Sequence, residues 1–293
     1  MKTKQANFRP SVARLVDGVR SLPGFRSYPT LYVGSAWKAR QRRDDLATVR
    51  GFLVFVGHPR SGHSLVGALL DAHPRIVVAH ELDVLKYLAA GYHRDQLLTL
   101  VLEHSAADAA RGRKSWGYSY AVPGQWQGRY ERLEVVGDKR GRMTTARLRD
   151  DPGLLARLEE RLGVPVRVVQ VVRNPYDDVA TMHRRAGGGA MADHVDEYFS
   201  LATTVDAVTA GLGPDRFHRL RLEDLVDDTP AELAALCRFV GADPSDDYLA
   251  ACSAIVFGSP HRTRDGAPWS AALRSDVEAR MAGHDWLAGY GFG

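Results

Sequence analysis

From residue 52 onward, apolar residues follow two rhythms. Short unbroken runs read as strands: FLVFV (52–56), RIVVA (75–79), LEVVG (133–137) and VRVVQVV (166–172). FLVFV, bounded by Gly51 and Gly57, has the continuous character of a central strand covered on both faces. Between the runs the spacing becomes helical. SLVGALLDA (64–72) puts Leu65, Leu69 and Leu70 on one side of a helix that Pro74 ends, and helical segments follow the second strand to about residue 104. PYDDVATMHRR (175–185) opens with Pro at the first helical position and acids in the first turn, which suits the helix dipole. DHVDEYFSLATTVDAVTAGL (193–212) predicts a long amphipathic helix, RFHRLRLEDL (216–225) a strand running into a turn, and AELAALCRFVG (231–241) a helix closed by a C′ glycine. Strands alternating with helices predict one α/β domain over 51–293, a central parallel sheet flanked by helices. Residues 1–50, rich in Arg, Pro and Ser with weak periodicity, read as an N-terminal extension packed on its outside.

Composition narrows the function classes. With 45% hydrophobic and 25% charged residues among 293, the chain is globular rather than disordered or fibrous. Its 39 basic against 35 acidic residues give +4, with no long block of like charge, so an anionic ligand is favoured and nucleic acid is not. Cys237 and Cys252 stand outside any paired metal or redox motif and read as two buried thiols in a reducing compartment. The basic N-terminus lacks the apolar core of a secretory signal and no apolar run spans a bilayer, so the expected location is cytoplasmic, with no membrane partner. His58, His63, His73 and His80 lack the spacing of a metal site, so no metal is expected.

The chemistry concentrates first in GHPRSGHS (57–64), between the central strand and its helix. It has the outline of a P-loop, G-x-x-x-x-G-K-[ST], with His63 where the lysine belongs. Such a loop still turns backbone N–H groups and a helix N-terminus toward an anion. Gly62 allows the tight backbone, Ser61 and Ser64 offer hydroxyls, and Arg60 supplies the fixed cation three residues before His63. The domain is therefore expected to be of P-loop type.

This segment resembles the sulfotransferases that use 3′-phosphoadenosine 5′-phosphosulfate (PAPS), whose 5′-phosphosulfate loop carries Lys or Arg before Ser-Gly-Thr; PRSGHSLVGALLDAHP is especially similar to the tyrosylprotein sulfotransferase branch. His63 replaces the usual Thr. A second segment, VVQVVRNPYDDVATMHRR (168–185), resembles the family's 3′-phosphate motif, with Arg173 ending a buried strand and Thr181 eight positions on. FHRLRLEDLV resembles an architectural strand and helix, and PHRTRDGAPW (260–269) the basic segment that closes over the 3′-phosphate, making Arg262 and Arg264 candidates. The resemblance thus implies PAPS as co-substrate, bound by Arg60, Ser61, Gly62, His63, Ser64, Arg173, Thr181 and Arg262 or Arg264.

Sulfuryl transfer needs a base for the acceptor proton and cations for the departing nucleotide. His80 and Glu81, at the end of the second strand, are the base candidates, and Glu81, 21 residues after Arg60, matches the spacing of the branch whose base is a glutamate. Lys139, just past the end of another strand, is placed where open α/β sheets bind ligands. With Arg60 these make up the expected catalytic set. Trp116, Tyr118 and Tyr120 lie in an aromatic cluster able to line an acceptor pocket. The expected function is transfer of the PAPS sulfuryl group to a hydroxyl of a small molecule or glycan. The competing readings are a divergent P-loop kinase, for which LEVVGD is a poor metal-binding strand, and a nucleotide-binding protein without catalysis.

Overall fold

The computed structural model describes residues 28–115, 117–259 and 261–293. Two helices, α1 (Pro29–Gln41) and α2 (Arg43–Ala47), precede β1 (Gly51–Val56), α3 (His63–Asp71), β2 (Ile76–His80), α4 (Val84–Ala89) and α5 (Arg94–Ala110). A two-stranded antiparallel hairpin, β3 (Lys114–Ser115) and β4 (Tyr118–Ser119), leads to β5 (Val135–Lys139), α6 (Gly141–Asp150) and α7 (Leu154–Leu162). Then come β6 (Val166–Val172), α8 (Pro175–Ala186), α9 (Met191–Thr209), β7 (Phe217–Arg221), α10 (Leu222–Asp227), α11 (Thr229–Val240), α12 (Asp246–Ser253) and α13 (Ala271–Met281).

Five strands form one parallel sheet in the order β2-β5-β1-β6-β7. β1 is central and buried along its whole length, as its unbroken apolar run requires. Chain crossovers leave β1 toward β2 on one side and reach β6 on the other, so a crevice opens at the carboxyl ends of these strands. The loops that carry Arg60, Glu81 and Arg173 start at that edge. One apolar cluster covers one side of the sheet through Phe52, Val54 and Val56, and another covers the other through Leu53, Phe55 and Val169. A third, around Tyr198 and Trp269, packs α8, α9 and α13 together.

The described part of the N-terminal segment is helical. Tyr32, Ala39, Leu46 and Val49 join the core cluster, and Gln96 of α5 donates to the Tyr32 carbonyl at 2.9 Å. β5 begins two residues later than its apolar run and extends through Lys139, while LEDL continues β7 as α10 rather than as a turn. Gly241 closes α11 at φ 88°, as expected of a C′ glycine. Cys237 and Cys252 are free and fully buried. Among the described residues no helix is long and apolar enough to cross a membrane.

Candidate active site

β1 delivers the chain into a loop held from several directions. The Gly57 N–H donates to Thr145 Oγ1 on α6 at 2.8 Å, and Ser61 Oγ donates back to the His58 carbonyl at 3.2 Å. His58 is fully buried, stacked on Tyr198 with ring centroids 3.8 Å apart, and its Nε2 lies 3.0 Å from the Tyr198 carbonyl. Burial pushes its pKa down to about 3, so the ring is neutral. Arg60 at φ 76° and Gly62 at φ 103° both lie in the left-handed region, an uncommon conformation for arginine. Together they turn the loop so that α3 starts at the crevice wall.

His63, in the place of the P-loop lysine, does not act as a cation. Its ring is buried against the backbone of Gly141, where an added Cβ would fall 2.3 Å from His63 Nε2. Burial, followed by the charges of Lys139 and His58, holds the imidazole well below its ordinary pKa. The buried cation beside the loop is Lys139, which enters from β5. Gly67 of α3 leaves room for its stem: a Cβ there would meet Lys139 Cγ at 2.9 Å. Lys139 Nζ donates to Ser64 Oγ at 3.1 Å and to Glu81 Oε1 at 3.0 Å, with a side chain only 3% exposed. Burial lowers its pKa and Glu81 acts against that.

Glu81 follows β2 at φ 65° with a half-exposed side chain. Its N–H donates to the Lys139 carbonyl at 3.0 Å, its own carbonyl accepts from Arg140 at 2.7 Å, and Arg140 Nη1 stands 3.8 Å from Oε2. Burial raises the carboxyl's pKa, but Lys139, His80 and Arg140 together outweigh it and hold the group below its ordinary value. Asp138, buried with its pKa pushed up to about 6, accepts from the N–H groups of Leu82 and Val84 at 3.1 and 2.7 Å and so fixes the turn that carries Glu81. His80 lies outside the crevice wall. Its pKa falls to about 4, first through burial and then through Lys139.

The other end of the crevice is built on β6 and α8. Asn174 caps α8 by accepting from the Tyr176 N–H at 3.1 Å, and Glu223 accepts from the Asn174 N–H at 2.9 Å, so the RLEDL segment braces this turn. Arg173, buried, donates to the His261 carbonyl and reaches Thr263 Oγ1 at 3.4 Å. Thr181 Oγ1 lies 3.2 Å from the same Thr263 hydroxyl. Arg173 Nε is buried without a partner among the described groups, as suits a guanidinium awaiting an anion.

The two ends face one cleft of about 780 Å³. The structure brings Arg60, Gly62, His63, Ser64, Glu81 and Lys139 to its wall, together with Arg173, Thr181, Arg262, Tyr118 and Tyr120. Ser61 is buried, with its hydroxyl spent inside the loop. Arg264 is not brought to the wall: its guanidinium pairs with Asp177 and its N–H donates to the same carboxylate, so it anchors the segment that carries Thr263. Arg262 is exposed, pairs with Asp265 at 3.0 Å and borders the cleft. Trp116 lies outside the described residues. Sequence reasoning missed Thr145, Thr263, Arg140, Arg142 and Arg185; the run DKRGR and the HRR at the end of α8 were the available signals for the three arginines. Among the described residues no three His, Cys, Asp or Glu side chains converge as metal ligands.

A model of the sulfotransferase family matches residues 164–247, from just before β6 to the start of α12. No curated protein matches the chain. Among solved structures, the sulfotransferase domain from the curacin biosynthetic pathway is similar at 18% identity and a TM-score of 0.50, over 80% of this chain and 97% of that one. The sulfotransferase domain of the Synechococcus PCC 7002 olefin synthase is similar at 19% identity and 0.48, over 79% and 88%. A mouse sulfotransferase complexed with PAP is similar at 10% identity and 0.45, over 82% and 87%. The family model spans the strand, cap and helix that carry Arg173, Thr181 and Glu223, and the chain shares the fold of the curacin domain around them.

Proposed function

We propose that the chain is a sulfotransferase that takes its sulfuryl group from PAPS and transfers it to a hydroxyl of a small molecule or glycan, with Glu81 as the base. The observation that carries the reading is Lys139 Nζ, which joins the anion loop through Ser64 (3.1 Å) to the base candidate through Glu81 (3.0 Å). The donor needs anion sites at both ends of one nucleotide, and the chain offers two in one cleft. The loop with Arg60 and Ser64 suits the 5′-phosphosulfate, and Arg173, Thr181 and Arg262 suit the 3′-phosphate. The unpartnered Arg173 Nε supports that fit. Leu222, Val226, Ile255 and Phe257 give the same cleft an apolar stretch that suits a base.

PAPS, when bound, supplies an activated sulfuryl group whose loss leaves charge on a phosphate oxygen. Lys139 and Arg60 are the cations that meet this charge in a partly dry site, where each counts for more than in water. As Lys139 turns toward it, Glu81 loses its main partner and its pKa rises, which strengthens it as a base for the acceptor proton. His80, off the wall, acts only through Glu81.

The test is to incubate the full chain with PAPS and a panel of hydroxyl acceptors with chelator present, following PAP by liquid chromatography. Acceptor-dependent PAP release is expected. Turnover of ATP with magnesium and none of PAPS would overturn the reading.

A further inference from the structure

Thr181 holds the place of the motif's hydroxyl, but its proton is committed within α8. Thr181 Oγ1 lies 2.8 Å from the Asp177 carbonyl, one turn back along the helix, and 3.2 Å from Thr263 Oγ1. A threonine has one hydroxyl proton and a carbonyl can only accept, so the shorter contact takes the Thr181 proton. The Thr263 hydroxyl then donates to Thr181 and accepts from Arg173 Nη2 at 3.4 Å. In this arrangement every group has a partner of the matching kind: the guanidinium donates, the carbonyl accepts, and each hydroxyl does both.

Thr263 opens a short 3₁₀ turn (Thr263–Gly266), lines the cleft together with Arg173 and Thr181, and also borders a second, smaller hollow with Arg184 and Arg262. Asp177 ties it to α8: its carboxylate accepts from the Arg264 N–H at 2.8 Å and pairs with the Arg264 guanidinium, next in sequence to Thr263. The Thr263 side chain is only partly buried, so its proton can turn from Thr181 to an entering anion. Thr181 is buried and would have to give up the Asp177 carbonyl to do the same. An ionised phosphate offers acceptor oxygens, so a hydroxyl helps to bind it only with a proton that it can present. Resting on the sulfuryl-transfer reading, we propose that Thr263 donates the hydroxyl hydrogen bond to the 3′-phosphate of the donor and so helps to select a 3′-phosphorylated nucleotide. Thr181 serves that phosphate through Thr263, as a positioning residue that orients its hydroxyl.

The test measures PAP and 5′-AMP binding by calorimetry in the full chain carrying Thr263→Val, Thr263→Ser or Thr181→Val. Thr263→Val should cut the preference for PAP over 5′-AMP about tenfold, the scale of one hydrogen bond to a charged group. It should leave 5′-AMP affinity unchanged, which also reports an intact cleft. Thr263→Ser, which keeps the hydroxyl, should keep the preference. Thr181→Val should lower it by less than about threefold, because Thr263 retains its own proton. A preference that Thr263→Val leaves at its original size overturns the proposal, and so does a greater loss from Thr181→Val than from Thr263→Val. In both cases the PAP preference of the unaltered protein leaves the PAPS reading standing. If the unaltered protein binds PAP no more tightly than 5′-AMP, the PAPS reading falls and this proposal falls with it.

Discussion

The two ends of the cleft are built in different ways. At the β1 end, neighbouring strands and helices supply a partner for nearly every group. Thr145 holds Gly57, Asp138 holds the turn after β2, and Lys139 ties the loop to Glu81. At the β6 end, Arg173 and Thr181 meet a segment 90 and 82 positions further on, through Thr263. That segment is anchored from below by Arg264 on Asp177, yet it leaves Phe257 57% exposed. A loop held by the strands and helices of the sheet thus faces a proposed phosphate site closed by a segment outside the sheet. Chemistry requires the first to be preorganised, while the second needs only to grip and release.

If this division is right, damage at the β1 end falls on the chemical step. Glu81→Gln should lower kcat by about 10²–10⁴-fold, the usual worth of a general base, with PAP binding retained by calorimetry. Lys139→Met should lower kcat by about 10²–10³-fold. It should also move the acid limb of kcat/KM upward, because Lys139 is the main group lowering the Glu81 pKa. In the unaltered protein that limb lies below the ordinary carboxylate range. Glu81 is active when ionised, so its lowered pKa keeps activity present at neutral pH and loses it only in acid. Rates measured from pH 6 to 8 should be flat on the acid side, and a midpoint near 6.5 would point to a histidine base of ordinary pKa instead. Smallest is Gly141→Ala, whose methyl group meets His63 Nε2. Overpacking of about 1–3 kcal/mol is expected in denaturant unfolding, and His63→Ala in the same chain should relieve part of it.

The same contrast explains what could be read from sequence. The β1 loop was legible because its strand, glycines, Arg60 and hydroxyls are contiguous, and Arg173 with Thr181 because both sit on one strand-to-helix turn. The sheet and its flanking helices followed from apolar rhythm. The fate of His63 was not legible: its packing depends on Gly141, nearly eighty residues away. Nor was the choice between Arg262 and Arg264, which differ by two positions but face opposite ways once Asp177 claims Arg264. Thr263, between them, carried no signal of its own because a lone threonine has no pattern. LEDL read as a turn because four residues are too few to show helical periodicity.

The central claim is that one nucleotide bridges both ends. Binding of PAP and of 5′-AMP by calorimetry tests it most directly, since the two ligands differ only in the 3′-phosphate. PAP should bind roughly 30-fold or more tightly than 5′-AMP, as expected of a phosphate held by a buried arginine and hydroxyls, and Arg173→Ala should bring the two close together. Equal affinity for PAP and 5′-AMP in the unaltered protein, or a preference that survives Arg173→Ala, would contradict it.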